Sequence, residues 1–287
     1  MPRVVCAGHV NWDVSLYVDA LPEPDGEARL QDRRAGGGGS AANVAAALTG
    51  LGVDAAVVGA VGDDDTGQRL RAELDEWGID TAGLRTVEGS TSEKYLLVDE
   101  GGRVSVVGHD GVNEALGPDD VDAAWLRGAD HLHLTGQRRD TAVALAELAA
   151  DAGATVSLDP GRRVADRDRS GLAGLVDVVF VNRVESAAID EATLGDGALV
   201  VTVGEDGASV TAGGTHHDHA GFSADAVDAT GAGDAFAAGF IAARLDGAGF
   251  ERALATGNAC GAIATETRGA RVSLDRERVE SVLTDAA

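Results

Sequence analysis

Short valine-rich segments alternate with alanine-rich segments along most of this chain, and that alternation constrains the fold more than any other feature. The valine-rich segments have the length of strands. The alanine-rich segments carry apolar residues at the three- and four-residue spacing of helices. Strand, helix and strand in succession are typical of a parallel sheet covered by helices on both faces. The sequence therefore predicts a doubly wound, mostly parallel α/β sheet.

Two segments depart from this alternation and predict a second, smaller sheet. Residues 14–35 alternate weakly around the turn at 22–26, and residues 94–108 repeat the pattern. We expect these β inserts at about 12–35 and 92–110, within a single domain over 1–287. The other expected elements are strands at 54–61, 131–135, 155–159, 177–181 and 198–203, and helices from about Ser40 and at 66–77, 140–152, 184–192, 250–265 and 275–284.

The charge of the chain is strongly negative and limits its partners. The formal net charge at pH 7 is -25, with 22 arginines and one lysine, Lys94. Nucleic acid and anionic membranes would be repelled, so we expect neither as a partner. Such acidity is typical of a halophile, where salt screens the self-repulsion; an acidic protein of an ordinary high-GC bacterium is the alternative.

The sequence also predicts a soluble, cytoplasmic protein. The N-terminus begins directly with a strand rather than with the apolar segment of a signal peptide. No apolar run approaches the roughly 20 residues that span a bilayer. Cys6 and Cys260 lie in apolar surroundings far apart in the sequence, which favours reduced core cysteines.

The run from Asp225 to Phe240 carries the clearest chemical signal. Its first half is a turn of small residues, and its second half has the periodicity of a buried helix. A glycine turn at a helix N-terminus directs unbonded N–H groups and the positive end of the helix dipole at one point, which suits a phosphate. Asp234 lies in the first turn, where it either caps the helix or takes a proton from a hydroxyl that attacks phosphorus.

This run resembles the second signature of the ribokinase-like (PfkB-type) carbohydrate kinases, Asp-Thr-x-Gly-Ala-Gly-Asp, and departs from it at Ala229. The resemblance implies an ATP-dependent kinase in which Asp234 is the catalytic base. It also implies that the two β inserts form a lid over the sugar and the contact surface of a homodimer. The amides implied to bind the transferred phosphoryl group are those of Gly231, Ala232, Gly233 and Asp234.

A second glycine run, 36–52, forms a turn followed by a helix. It satisfies Gly-x-Gly-x-x-Ala, so a dinucleotide fingerprint with Asp63 beyond it is one interpretation. The run follows charged residues rather than the end of a buried strand, which argues against that interpretation. The first signature of the kinase family, Gly-Gly-x-x-x-Asn-x-Ala, resembles it residue by residue at Gly38, Gly39, Asn43 and Ala45, which implies that Gly38, Gly39 and Asn43 bind the acceptor.

Four further residues concern the acceptor. Asn11 and Asp13 follow the first strand, and alone they indicate a turn; the family resemblance implies that they bind sugar hydroxyls. Thr135 stands where many ribokinases have Glu, a departure that argues against ribose itself. Lys94 lies in the second insert. It is either an outer-face residue paired with Glu93 or an inner-face residue that binds an anionic group such as a sugar phosphate.

The resemblance also implies residues for nucleotide and cations. Glu185 of Asn-x-x-Glu would position Mg²⁺ through water, although the same motif alone indicates a helix cap. Arg162 either binds an anion or pairs with surface acids. The implied nucleotide contacts are Asn182, Thr202, Gly204, Gly207, Asn258 and Arg162. A monovalent cation such as K⁺ is implied at Asp228, Thr230, Gly269 and Ser273.

These patterns together predict a phosphotransferase acting on a hydroxyl of a small sugar, sugar phosphate or nucleoside. A non-catalytic nucleotide- or sugar-binding regulator on the same fold is the alternative, since fold does not fix function. Residues 216–219, His-His-Asp-His, are predicted to be a solvated hairpin turn rather than a metal site. The sequence does not determine the acceptor.

Overall fold

The chain forms a large nine-stranded sheet and a separate four-stranded sheet. The computed structural model describes residues 1–161, 170–189 and 195–285. The strands are β1 (Arg3–Ala7), β2 (Asn11–Val18), β3 (Leu30–Gly38), β4 (Asp54–Gly62), β5 (Asp80–Val87), β6 (Glu93–Val98), β7 (Val104–His109), β8 (His131–Thr135), β9 (Thr155–Asp159), β10 (Val178–Asn182), β11 (Ala198–Thr202), β12 (Ala208–Ala212) and β13 (Thr215–His219).

The large sheet has the order β13-β12-β11-β10-β9-β8-β1-β4-β5. All its pairs are parallel except β11–β12 and β12–β13 at one edge. The central strands β1, β4 and β8 are almost entirely buried, as the continuous apolar composition of parallel strands requires. The predicted mostly parallel sheet is confirmed.

Helices cover both faces of this sheet. Their bounds are α1 (Ser40–Gly50), α2 (Asp65–Glu76), α3 (Arg139–Asp151), α4 (Arg183–Ser186), α5 (Ala232–Leu245), α6 (Phe250–Thr265) and α7 (Arg276–Asp285). One core cluster contains buried residues of α1, α5 and α6, and a second, on the other face, contains those of α3. None of the helices in the described ranges is long and apolar enough to cross a membrane.

Close packing of α5 on α6 explains the small residues of both helices. A Cβ at Gly239 would lie 2.6 Å from Cys260 Sγ, and one at Gly257 would lie 2.9 Å from the Phe236 ring. The two helices can therefore approach closely only with glycine at these positions. This contact fixes α5, whose N-terminus carries Asp234, against the core.

The small sheet, with the order β3-β2-β6-β7, contains both predicted β inserts. Strand β2 pairs antiparallel with β3 and parallel with β6, and β6 pairs antiparallel with β7. The two inserts are thus joined through β2 and β6 into one sheet. Strand β3 ends directly before α1. The glycine run therefore connects the small sheet to a helix that packs on the large sheet.

Two local predictions differ from the structure. The helix expected at 184–192 ends at Ser186, and residues 190–194 lie outside the described part of the chain. Residues 216–219 form strand β13 rather than a turn, because they pair with β12 while Gly213 and Gly214, both with positive φ, make the turn. No group of three or more His, Cys, Asp or Glu side chains in the described ranges could hold a metal ion.

Two neighbouring histidines are buried inside the large sheet. His131 Nε2 and His133 Nδ1 both lie 2.7 Å from Ser157 Oγ, and His131 Nδ1 lies 2.7 Å from Thr155 Oγ1. Burial lowers the pKa of both imidazoles to about 3. Both histidines are therefore neutral in the folded protein over the ordinary pH range.

Acid should destabilise this protein partly through these two histidines. Their folded pKa lies below the unfolded value of about 6.5, so the unfolded chain binds more protons. The stabilisation is complete above pH 6.5 and is lost as the pH falls from there towards 3. Urea unfolding of the His131→Asn/His133→Asn double variant should show a shallower loss of unfolding free energy with falling pH than wild type. The exposed His216→Asn is the control, and equal slopes in double variant and wild type would contradict the assignment.

Candidate functional site

Two helix N-termini, those of α1 and α5, meet beyond the carboxyl ends of the central strands. Asn43 Nδ2 donates to Asp234 Oδ2 over 2.8 Å, and so joins the first turns of helices that are 191 residues apart in sequence. Each helix begins after a glycine with positive φ, Gly39 at 93° and Gly231 at 79°. The two glycine signatures of the sequence are thus parts of one site, at the sheet edge where ligands bind in open α/β folds.

The Asp234 carboxylate has a strongly altered acidity. Burial, with a smaller contribution from the charge of Asp13, raises its pKa to about 6. Hydrogen bonds from Asn43 and Ser40 and the charge of Lys94 oppose this rise. The carboxylate is therefore ionised at neutral pH, yet it is a stronger base than an exposed aspartate.

The turn before α5 can hold an anion through fewer amides than the sequence predicted. A Cβ at Gly231 would lie 2.2 Å from Ala270 O, so the chain approaches this turn too closely for any other residue. The Ala232 N–H donates within the turn, to Ala229 O over 3.2 Å. The space beside Gly233 is open, since a Cβ there would meet nothing within 4 Å. The amides of Gly231, Gly233 and Asp234 are the ones left to bind an anion.

Asn11 and Asp13 belong to a chain of polar side chains beside Asp234. Asn113 Nδ2 donates to Asn11 Oδ1 over 3.5 Å, and Asn11 Nδ2 donates to Asp13 Oδ1 over 2.6 Å. Asn113 also accepts from Val10 N, and its side chain is buried. The sequence analysis missed Asn113, which follows β7 in a turn without any motif. A Cβ at Gly38 would lie 2.0 Å from Asp13 Oδ2, so this glycine makes room for the carboxylate.

Lys94 lies on the inner side of the small sheet. In the sheet register it stands beside Asp13 on β2, and its charge acts on both Asp13 and Asp234. Glu93, its suggested outer-face partner, instead accepts a bond from Tyr95 Oη over 2.8 Å. Burial raises the pKa of Asp13, and Lys94, Asn11 and Arg271 oppose that rise. The ammonium group therefore belongs to the same polar pocket as the two aspartates.

Thr135 ends β8 and is buried against β1. Its Oγ1 lies 3.5 Å from Ala7 O, and a Cβ at Gly8 would lie 1.9 Å from that Oγ1. The glycine after β1 is thus the reason that the threonine side chain fits. Gly39 is equally constrained, because a Cβ there would lie 2.3 Å from His9 O.

A second carboxylate group lies next to the site. Burial, with added repulsion from Asp234 and Glu185, raises the pKa of Asp159 to about 7. The sequence showed Asp159 at a strand end but gave no sign of its proximity to Glu185, which is buried. Asn182 N donates to Glu185 Oε2 over 3.0 Å, and Asn182 Oδ1 accepts from the Val184 and Glu185 amides. Asn182 and Glu185 therefore form a reciprocal N-cap of α4.

The remaining expected nucleotide residues lie along β10, β11 and α6. Thr202 stands beside Asn182 in the sheet register, and its Oγ1 lies 3.4 Å from Val181 O. Gly204 and Gly207 flank the next turn with φ of 58° and 87°. Asn258 is buried, with Nδ2 3.1 Å from His219 Nδ1. Arg162 lies outside the described residues.

Three of the four expected monovalent-cation residues are joined through one carboxylate. Asp228 accepts from Thr230 N over 2.9 Å, from Gly269 N over 3.0 Å and from Tyr17 Oη over 3.1 Å. The fourth residue, Ser273, is exposed. Tyr17 lies on β2, so Asp228 also ties the small sheet to the turn before α5.

Known proteins resemble the chain over nearly its whole length. The profile described as "pfkB family carbohydrate kinase" matches residues 1–277. An ATP-dependent ribose-1-phosphate kinase of Halopiger xanaduensis is 52% identical, covering 99% of each chain. A nucleoside kinase of Methanothermobacter thermautotrophicus is 28% identical, covering 94% of this chain and 92% of its own. The structure of Arabidopsis thaliana ribokinase complexed with ribose and ATP superimposes with a TM-score of 0.85 at 25% identity, covering 98% of each chain.

Proposed function

Because the chain belongs to the pfkB family of carbohydrate kinases, we propose that it transfers the γ-phosphoryl group of ATP to a hydroxyl of a sugar phosphate. The similarity to the Halopiger enzyme favours ribose 1-phosphate as the acceptor. The observation that carries the proposal is the meeting of Asp234 and Asn43 at two helix N-termini, beside Lys94. One residue there can accept a proton, and another can bind a phosphate already on the acceptor.

In the proposed reaction Asp234 takes the proton of the acceptor hydroxyl. The hydroxyl oxygen forms a bond to the γ-phosphorus, the bond from that phosphorus to the bridging oxygen breaks, and ADP leaves with the electron pair. A pKa of about 6 keeps Asp234 ionised at neutral pH and close to the best range for a general base. The Gly231, Gly233 and Asp234 amides would stabilise charge on the transferred group.

Hydroxyl groups of the acceptor would be held by the polar side chains of β2 and α1. The Asp13 carboxylate can accept two hydroxyl hydrogens, and the Asn11 and Asn43 amides can donate and accept. The glycines at 38 and 39 let the Asp13 carboxylate and the His9 carbonyl approach the backbone closely, which brings Asp13 into the pocket. Thr135 closes the pocket at β8 with a short side chain. Such placement of the acceptor beside Asp234 accounts for much of the rate in phosphoryl transfer.

Lys94 supports an anionic acceptor. A lysine ammonium is a compact point charge that binds one phosphate oxygen well. It faces two carboxylates, Asp13 and Asp234, and the anionic group of a sugar phosphate would complete the balance of charge in that pocket. Without such a cation, the two aspartates would repel a phosphorylated acceptor.

ATP would lie across the carboxyl ends of β10 and β11. The backbone at Gly204 is open to the nucleotide, since a Cβ there would meet nothing within 4 Å, whereas Gly207 lets the His219 carbonyl pack against the same turn. Asn182 and Thr202 stand side by side at this edge, and Asn258 lies on α6 behind β13. ATP as the donor is consistent with action in the cytoplasm.

Mg²⁺ fits the carboxylates of Asp159 and Glu185. Carboxylate oxygens are the ligands that Mg²⁺ prefers, and a divalent cation would relieve the repulsion that raises the pKa of Asp159. These two residues would hold the ion, in part through water, and the ion would supply positive charge to the phosphate oxygens of the nucleotide. We further propose K⁺ between the Asp228–Thr230 turn and the loop at Gly269 and Ser273.

The small sheet is proposed as a lid over the acceptor and as the contact surface of a homodimer. Five of the exposed large apolar residues in the described ranges lie on it: Leu30, Tyr95, Val104, Val106 and Val107. An apolar surface concentrated in this way is typical of protein contacts. Sedimentation velocity, which distinguishes a monomer from a dimer in solution, tests this proposal. In this proposal the chain remains one kinase domain with its lid.

The first prediction concerns the proposed base. Asp234→Asn removes the proton acceptor but keeps the shape of the side chain. Turnover should fall by about 10²–10⁴-fold, while ATP affinity, measured by calorimetry, changes little. The exposed Asp151→Asn at the end of α3 is the control. A variant that keeps more than roughly a tenth of wild-type turnover would exclude Asp234 as the base.

The second prediction tests the charge of the acceptor. Lys94→Met should lower kcat/KM for ribose 1-phosphate by about ten- to a hundredfold, the range expected for a lost hydrogen bond to a charged group. Activity with neutral ribose or nucleosides should change by less than about threefold, because they offer no anion to Lys94. A loss of equal size for neutral and phosphorylated acceptors would refute the phosphate contact.

The third prediction separates salt screening from cation binding. A net charge of -25 should make stability and activity rise with ionic strength, as expected for a halophilic protein. Activity in KCl should exceed that in choline chloride of equal ionic strength, because only K⁺ is small enough for a site at Asp228. Equal activity in the two salts would exclude the proposed cation site. It would not affect the argument from charge screening.

A further inference from the structure

A partly buried ion pair, in which only the arginine is fully enclosed, lies directly behind the glycine run of the proposed acceptor site. Arg271 Nη1 lies 2.6 Å from Glu73 Oε1, and the Arg271 side chain is only 4% exposed. Arg271 belongs to the loop after α6, and Glu73 belongs to α2. Buried Arg271 Nε has no hydrogen-bond partner among the described residues. A partly buried pair with an unmade bond contributes little net stability, so its position calls for another explanation.

The pair binds two backbone groups at the end of β3, one on Gly37 and one on Gly38. Glu73 Oε2 accepts from Gly37 N over 3.2 Å, and Arg271 Nη2 donates to Gly38 O over 3.3 Å. A Cβ at Gly37 would lie 2.3 Å from Arg271 Nη1, whereas one at Gly38 would lie 2.0 Å from Asp13 Oδ2. The Arg271 guanidinium and the Asp13 carboxylate therefore pack directly against the backbone of β3 at two adjacent glycines.

The same loop also contacts the anion-binding turn. Ala270, the residue before Arg271, places its carbonyl oxygen 2.2 Å from where a Cβ of Gly231 would be. Two adjacent residues thus touch the two halves of the site, Ala270 on the phosphoryl side and Arg271 on the acceptor side. A rigid link of this kind fixes the distance between attacking hydroxyl and phosphorus.

We propose that Arg271 and Glu73 are positioning residues. They hold the Gly37–Gly38 end of β3, and with it Asp13, at a fixed position relative to the anion-binding turn at Gly231. The role in catalysis rests on the proposed function, whereas the coupling of the ion pair to the end of β3 does not. Neither side chain touches a substrate in this arrangement. Both act through the backbone and through Asp13.

Asp13 reports on the pair because few charged groups face it. They are Lys94 on β6, Arg271 on its loop and Asp234 on α5, and Asn11 adds a hydrogen bond from the same strand. Arg271 lowers the pKa of Asp13, and Glu73 offsets part of the charge of Arg271. Removing Arg271 should therefore raise the pKa of Asp13. Neutralising Glu73 should lower it, because the charge of Arg271 is then unbalanced.

The test compares pH profiles of kcat/KM for the acceptor in Arg271→Met and Glu73→Gln. Asp13 contributes to the acid limb together with Asp234, and its contribution should move to higher pH in the first variant and to lower pH in the second. A purely structural pair would move both in the same direction. Arg271→Met should also raise the acceptor KM by about tenfold, with the ATP KM within about twofold of wild type. Arg271→Lys should return the acid limb of the pH profile to its wild-type position, because lysine keeps the positive charge. It should not restore the acceptor KM, because lysine lacks the planar guanidinium that bonds Glu73 and Gly38 together.

The matched control is the exposed pair of Arg252 and Glu280, which has the same 2.6 Å separation. Arg252→Met and Glu280→Gln should leave the limb and both KM values unchanged. Shifts in the same direction for Arg271→Met and Glu73→Gln, or equal shifts in the controls, would overturn the proposal.

Hydrogen exchange keeps the inference separate from the proposed function. If the wild type phosphorylates no sugar phosphate, the proposed acceptor is wrong, but the ion pair can still be tested. Amides of residues 37–40 should exchange faster in Arg271→Met than in wild type, whereas Arg252→Met should leave them unchanged. Unchanged exchange in Arg271→Met would exclude a positioning role for the pair.

Discussion

The hydrogen bond from Asn43 to Asp234 is the contact on which the arrangement of this site depends. It requires two helices from opposite ends of the chain to begin at one point, and the parallel sheet makes this geometry available. Both helices begin after glycines that no other residue could replace without displacing a neighbouring backbone oxygen. Close packing of α5 on α6 then keeps Asp234 at a fixed depth. The bond also limits how far burial can raise the pKa of the carboxylate.

Electrostatics explain the composition of the crevice. Asp13, Asp159, Glu185 and Asp234 gather there in a chain that already carries a net charge of -25. Burial raises the pKa of Asp13, Asp159 and Asp234, and repulsion between carboxylates adds to the rise for Asp159 and Asp234. Lys94 and Arg271 offset part of this charge from the acceptor side. An excess of negative charge remains near Asp159, where a nucleotide with its metal ion would bring positive charge.

Much of this architecture could be predicted from the sequence, because the signals are local. Alternating strands and helices predicted the doubly wound sheet, and the resemblance of two glycine runs to the kinase signatures implied roles for Asn43 and Asp234 in one reaction. The failures are non-local. Arg271 and Glu73 are 198 residues apart, and neither lies in a motif. Asn113 acts through partners 102 and 103 residues away, Asn11 and Val10. The histidines at 216–219 were assigned to a turn because their pairing with β12 has no clear sequence signal.

The single lysine has a chemical consequence beyond binding. Lys94 is the only side-chain amine in the chain, and it lies in the polar pocket that it shares with Asp13 and Asp234. A reagent selective for amines therefore has two targets, the N-terminus and this pocket. Covalent labelling there would need no engineered cysteine and no mutation. A ligand that covers the pocket would shield the amine, so the rate of labelling would read out its occupancy directly.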